Sequence, residues 1–194
     1  DGVIGGRYVV GSTDGAALSD PSNQSLDYAS TSWNTTHTFI TSAVVNPHVT
    51  GDGLWATLAN DNQFGVILQA NSGLPYGIRS NLDLNLDGIS ADRPLGIARN
   101  SGNLGRVFNV DLRYSRFFRP FRSSQRAEFF FEAKNLFNTG SVRSVNSVVT
   151  TNALGEPTSA IPTSPCAIGA ASTTGCFPVT NAYQQLQMQL GFKY

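Results

Sequence analysis

Residues 183–194 carry the strictest pattern in the chain. Leu186, Met188, Leu190, Phe192 and Tyr194 share one parity, and Gln185, Gln187, Gln189, Gly191 and Lys193 share the other. A strand sends successive side chains to opposite faces, so this stretch has one apolar face and one polar face. A helix would mix the two sets. The length matches the roughly 9–11 residues that carry a tilted strand across a bilayer. The last strand of a soluble sandwich alternates as well, so this stretch alone leaves a membrane barrel and a sandwich both open.

Composition narrows the choice. Charged residues make up 13% of the 194-residue chain, against roughly 25% in soluble proteins. No run approaches the ~18 apolar residues of a spanning helix. With 19 glycines and many Ser, Thr and Asn, this predicts one all-β domain with long polar loops. A net charge of zero gives no support to nucleic-acid binding.

Further strands are predicted upstream, for about six in all. They lie at 6–11, 36–45, 64–70, 108–114 and 127–133, before the terminal one. Phe64, Val66, Leu68 and Ala70 share a face. Phe108, Val110, Leu112 and Tyr114 alternate with Asn109, Asp111, Arg113 and Ser115, and Ala127, Phe129, Phe131 and Ala133 alternate with Glu128, Phe130, Glu132 and Lys134. The polar faces of this hairpin carry opposite charges that stabilise each other across strands. The predicted fold is an antiparallel up-and-down meander. Its connections run long (12–33), short (47–53), long (78–106), short (119–125) and long (139–182). Outer-membrane barrels alternate in this way, with short periplasmic turns and long extracellular loops.

Several stretches resemble the C-terminal barrel region of TonB-dependent outer-membrane receptors, with the Oar-like subgroup the nearest likeness. They are Asn34-Thr-Thr-His-Thr-Phe39, Gln69-Ala-Asn-Ser-Gly-Leu-Pro-Tyr76, Asp83-Leu-Asn-Leu-Asp-Gly-Ile-Ser-Ala-Asp-Arg-Pro94, Arg99-Asn100, Asn109-Val-Asp-Leu-Arg-Tyr-Ser-Arg-Phe117 and Glu132-Ala-Lys-Asn-Leu-Phe-Asn138. The family usually has Arg on either side of the histidine, where this chain has Thr36 and Thr38. The ending also resembles the terminal strand that the barrel assembly machinery recognises, which makes Leu190, Phe192 and Tyr194 the candidate assembly signal. The resemblance implies residence in the outer membrane and contact with its lipid. It implies a barrel of about 22 strands, of which residues 1–194 would be a C-terminal segment. It implies a transported ligand, and TonB as a partner through an N-terminal part carrying a plug, neither of which is visible in this chain. The chain starts at Asp1 without a signal peptide, as a processed or truncated piece would. A soluble β-sandwich for binding or adhesion, and a small complete barrel, are the alternatives.

One stretch has metal-ligand character. Asp83, Asn85 and Asp87 occupy alternate positions before Gly88, as at the start of a calcium loop, with Asp92 beyond. The position of the closing bidentate acid is Pro94, so the alternative is a polar loop whose Asx side chains bond their own backbone. Arg93 and Arg99 are rival partners for these carboxylates. Calcium is the one cofactor considered. Cys166 and Cys176, in a Gly/Ser/Thr/Pro-rich stretch, fit one disulfide in an oxidising compartment, with two free thiols as the alternative. His37 and His48 have no ligand at zinc spacing, and no nucleophile elbow or phosphate loop is present. No catalysis is expected.

Overall fold

The computed structural model describes residues 24–86, 88, 90, 92–119, 126–162, 164–170 and 175–194. The strand predicted at 6–11 and, except for Arg119, the short connection predicted at 119–125 lie outside them. In chain order the elements are a 3-10 turn (Gln24–Asp27), β1 (Thr38–Val45), α1 (Leu54–Ala59), β2 (Asn62–Asn71), β3 (Pro75–Tyr76), β4 (Arg79–Ser80), β5 (Gly102–Asn103), β6 (Val107–Phe118), β7 (Ala127–Lys134), β8 (Val142–Val145), β9 (Val148–Val149), β10 (Val179–Ala182) and β11 (Gln187–Lys193). The chain is all-β with almost no helix, and it divides into two compact units.

One unit, His37–Asn71, Val107–Gly140 and Gln184–Tyr194, holds a five-stranded antiparallel sheet in the order β1-β2-β6-β7-β11. Neighbours in this sheet follow the order of the chain, as in an up-and-down meander. Register is continuous: Phe64 faces Tyr114, Tyr114 faces Phe131, and Phe131 faces Leu190. A one-residue slip would turn every apolar side chain onto the polar face, so the alternation itself fixes this pairing. The terminal strand starts at Gln187, later than its sequence pattern. Gln185 and Leu186 precede it, and the Leu186 amide donates instead to Asn138 Oδ1 at 3.0 Å.

The sequence predicts a short connection at 47–53, but the link between β1 and β2 runs over 46–61 and contains α1. Six residues are too few for a 3.6-residue period to show in sequence. The Asn60 side chain closes the connection by bonding both the amide and the carbonyl of Val49 (2.7 and 3.0 Å). The last carbonyls of α1 lack intrahelical donors. Asn62 Nδ2 supplies Leu58 O and Ala59 O, and the Arg116 guanidinium supplies Thr57 O and Leu58 O.

The other unit is made of Asp1–Thr36, Ser72–Arg106 and Ser141–Tyr183, and so gathers the long connections. Sequence treats them as polar loops, yet they fold together. Three two-stranded ladders form, β3 with β5, β8 with β10, and β4 with β9, the last one parallel where an antiparallel fold was predicted. Ile78, Val149 and Phe177 make a small core, with Tyr76, Ile97, Val145 and Ile161 packed against it. Polar bonds join 77–81 to 147–151. Ser147 Oγ donates to Gly77 O (2.7 Å), Ser80 Oγ meets Thr151 Oγ1 (2.6 Å), and the Thr151 amide donates to Asn81 Oδ1 (3.0 Å).

Candidate functional site

The five-stranded sheet is the element built for a function, because its two faces are chemically different. One face carries Phe39 and Val45 of β1, Phe64, Val66 and Leu68 of β2, and Phe108, Leu112, Tyr114 and Phe118 of β6. Phe129 and Phe131 of β7 and Met188, Leu190 and Phe192 of β11 continue it. Among the described residues no second layer covers it: Phe39, Phe64, Phe129, Met188, Leu190 and Phe192 are all exposed, Leu190 to 67%. Aromatic pairs run along this face, Phe64 with Tyr114 (5.1 Å between centroids) and Phe118 with Phe192 (5.9 Å). A soluble sandwich would bury such a face against a second sheet.

The opposite face is a polar network. Arg113 pairs with Glu128 at 2.9 Å and with Glu132 at 3.7 Å, and Lys193 reaches Glu128 at 4.0 Å. Ser115 Oγ donates at 2.8 Å to Glu128 Oε1, the oxygen that Arg113 contacts. Phe130 sits among these charges, yet it is buried to 7% exposure. Its ring lies where the missing side chain of Gly191 would be, since a Cβ built there would come within 2.2 Å of it. Arg113 lies over this ring at 4.6 Å from its centroid and Lys193 at 5.3 Å. The ring covers bare backbone on the last strand, and two cations hold it in place. Sequence placed Phe130 among the polar residues and gave no reason for it; a phenylalanine facing a glycine across two strands was the available signal.

The Asn135-Leu-Phe-Asn138 stretch ends β7. Asn135 and Asn138 both take left-handed backbone angles, φ 52° and 49°, which asparagine tolerates better than most residues. Asn135 Nδ2 donates to Gln184 O (2.9 Å) and Thr139 O (3.1 Å), and the Asn135 amide donates to Asp111 Oδ1 (2.9 Å). The stretch therefore ties β6 and the approach to β11 to the end of β7.

An uncovered apolar face backed by a polar one is what a strand needs between lipid and a water-lined interior. Residues 5–107 match the family model of the outer membrane beta barrel domain, more than half of the chain. The chain belongs to that family. The protein resides in the bacterial outer membrane. Searches of curated proteins and of solved structures returned no match.

In this outer-membrane barrel segment the candidate assembly residues Leu190, Phe192 and Tyr194 lie on or next to the edge strand β11, all exposed. Cys166 and Cys176 are joined in a disulfide, with Cα atoms 4.8 Å apart. Beside it the Cys166 amide donates to Phe177 O and the Phe177 amide to Ser164 O, which holds Phe177 in the core. Of the four candidate calcium ligands, Asp87 lies outside the described residues. Asp92 is buried, and its Oδ2 accepts the amides of Leu84 and Asn85. Asp83 Oδ2 accepts the Gly88 amide at 2.8 Å, and Asn85 is exposed. These bonds are the Asx-to-backbone kind. Arg93 donates to the buried Asp27 at 2.7 Å, with Arg99 at 3.9 Å from the same oxygen. Asp27 is a partner for both arginines that the sequence reading missed.

Proposed function

We propose that this chain is the C-terminal barrel segment of a TonB-dependent transport receptor. The observation that carries the reading is the open sheet. Among the described residues β1 and β11 each pair on one side only. About eight strands are needed before side chains just fill a closed barrel, so five with a charged inner face suit a wider one. The Asn135–Asn138 stretch and the aromatic ending, in the family's order, support the same reading. In it the chain has no catalytic role. Barrel assembly machinery reads Leu190, Phe192 and Tyr194, TonB is engaged through an N-terminal part of the receptor, and an unidentified ligand passes.

The test uses the full-length protein in cells. A photo-crosslinker near the receptor's N-terminus is expected to give a TonB adduct, and the purified protein is expected to stay closed in a planar bilayer. No adduct together with steady open conductance would overturn the receptor reading and leave a plain pore.

A further inference from the structure

We propose that α1 is a membrane anchor that lays Leu54, Trp55 and Leu58 into the phospholipid interface of the periplasmic leaflet, on the reading that the apolar face of the five-stranded sheet meets lipid. That face carries one charge near its end. Arg116 stands opposite Asn62 of β2 and Phe129 of β7, and shares parity with Leu112, Tyr114 and Phe118. An unpaired guanidinium there would be costly in hydrocarbon. This one donates to Thr57 O at 3.0 Å, Leu58 O at 3.3 Å and Asn62 Oδ1 at 3.2 Å. Tyr114 donates to the same Asn62 oxygen at 2.8 Å, and Asn62 Nδ2 holds Leu58 O and Ala59 O. These bonds seat the carboxyl end of α1 on the apolar side of the sheet. They also satisfy helix-end carbonyls that lipid could not. The same end of the sheet holds the short connection between β6 and β7, which makes it the periplasmic end.

The helix is inverted relative to one in water. A surface helix of a soluble protein buries its large apolar residues and exposes polar ones. In α1 the buried residue is Ala56, whereas Leu54, Trp55 and Leu58 are exposed to 71%, 77% and 51%. With a turn of about 100° per residue, those three share one side of the helix and Ala56 lies on the other. Six residues do not hold a helix by themselves, so the bonds to Arg116 and Asn62 are what fix this side outward. On the sheet, Val45, Phe64 and Phe118 lie on the apolar face at the same end of β1, β2 and β6, and they are exposed too. The outward side of α1 therefore continues the apolar surface of the sheet, which favours lipid over a periplasmic protein as its occupant. A Trp with two Leu at the rim of such a face matches the zone between headgroups and acyl chains.

Nitroxide labels in the full-length protein test this, in vesicles of phosphatidylethanolamine and phosphatidylglycerol. They are attached one at a time through Leu54→Cys, Trp55→Cys and Leu58→Cys, with Leu190→Cys as the lipid reference and Asp52→Cys as the water reference. Electron paramagnetic resonance reads collisions with oxygen, which enters lipid, and with a nickel chelate, which stays in water. The three α1 labels are expected to give oxygen-to-nickel ratios between those of the two references. Labels as open to nickel as the Asp52 site, with the Leu190 label in lipid, would overturn the anchor and leave the lipid-facing sheet standing. Labels shielded from both reagents would overturn it as well, because protein then covers the helix. A nickel-exposed Leu190 label would overturn the lipid-facing reading and the anchor with it. If the labelled variants misfold, judged by heat-modifiable gel migration, the fluorescence that Trp55→Phe removes gives a second reading. Lipids brominated near the headgroup should quench that emission more than lipids brominated near the chain end. No quenching by either would overturn the anchor.

Discussion

At the scale of single residues, Gly191 makes the sharpest demand. Its hydrogen is the space in which Phe130 packs, and Arg113 and Lys193 hold the ring from above. Gly191→Ala should therefore destabilise the folded barrel by about 1–3 kcal/mol through overpacking. Phe130→Ala in the same chain should recover part of that loss, and the urea midpoints of the four proteins in lipid vesicles give the coupling. Additive effects would show that the ring simply moves aside. One position away, Leu190→Arg places a charge on the apolar face and should cost roughly 2–4 kcal/mol near the midplane. Gln189→Arg faces the interior opposite Glu132 and should be tolerated. Tyr76 makes a different demand. Its hydroxyl is enclosed without a hydrogen-bond partner among the described residues, and burial pushes its pKa above the usual phenol value. An acid whose pKa is raised by folding favours the neutral form. Its contribution is therefore intact below the unfolded value near 10 and is lost as pH climbs through the folded value. Tyr76→Phe should flatten that alkaline loss without destabilising the protein at pH 7, as read from thermal unfolding at pH 8 and above pH 10.

At the scale of elements, legibility in the sequence followed length and contrast. β2, β6, β7 and β11 span seven to twelve residues between an apolar and a polar surrounding, so their period of two stood out. β1 carries Ile40 and Val44 on the parity opposite Phe39, which blurs its two faces. The ladders β3–β5 and β4–β9 involve two residues per strand, too few to show any period. Their segments are polar because side chains such as Ser80, Asn81, Ser147 and Thr151 bond across them. Composition reads that polarity as loop. The buried Asp27–Arg93 pair was also hidden, since 66 residues separate the partners. The cysteines were visible, but not that their bridge stands next to a core aromatic. Replacing both by Ser should loosen the loop-built unit by roughly 2–3 kcal/mol in the chain-entropy account. Phe177, now 2% exposed, would be the first core residue released. Limited proteolysis should then cut near residues 164–178 in the variant and not in the parent. The loop at 83–92 is held by its own amides through Asp92. Asp92→Ala should open it to protease. Added calcium should leave the cutting pattern of the parent unchanged, and calcium-dependent protection would bring Asp87 back as a ligand.

At the scale of the molecule, the governing fact is that the sheet has two edges among the described residues. β1 and β11 pair on one side among the described residues, so each leaves a row of amides and carbonyls without a strand partner. Water can satisfy such a row, but hydrocarbon cannot, and each unsatisfied group there costs several kcal/mol. For the seven residues of β11, about half of which turn their main-chain groups outward, the total is on the order of ten kcal/mol or more. The apolar face does favour insertion, through exposed side chains such as Met188, Leu190, Phe192 and Phe129. The edge cost opposes it and cannot be relieved by any side-chain change. The 194-residue chain alone is therefore expected not to insert stably when refolded with phosphatidylcholine vesicles. It should be extracted by alkaline carbonate and give no heat-resistant band in detergent gels, whereas the full-length protein should resist both. A heat-resistant band at a multiple of the chain mass would sink this. It would mean that identical segments close a barrel between them, β11 of one copy pairing with β1 of the next, and that no further strands are needed.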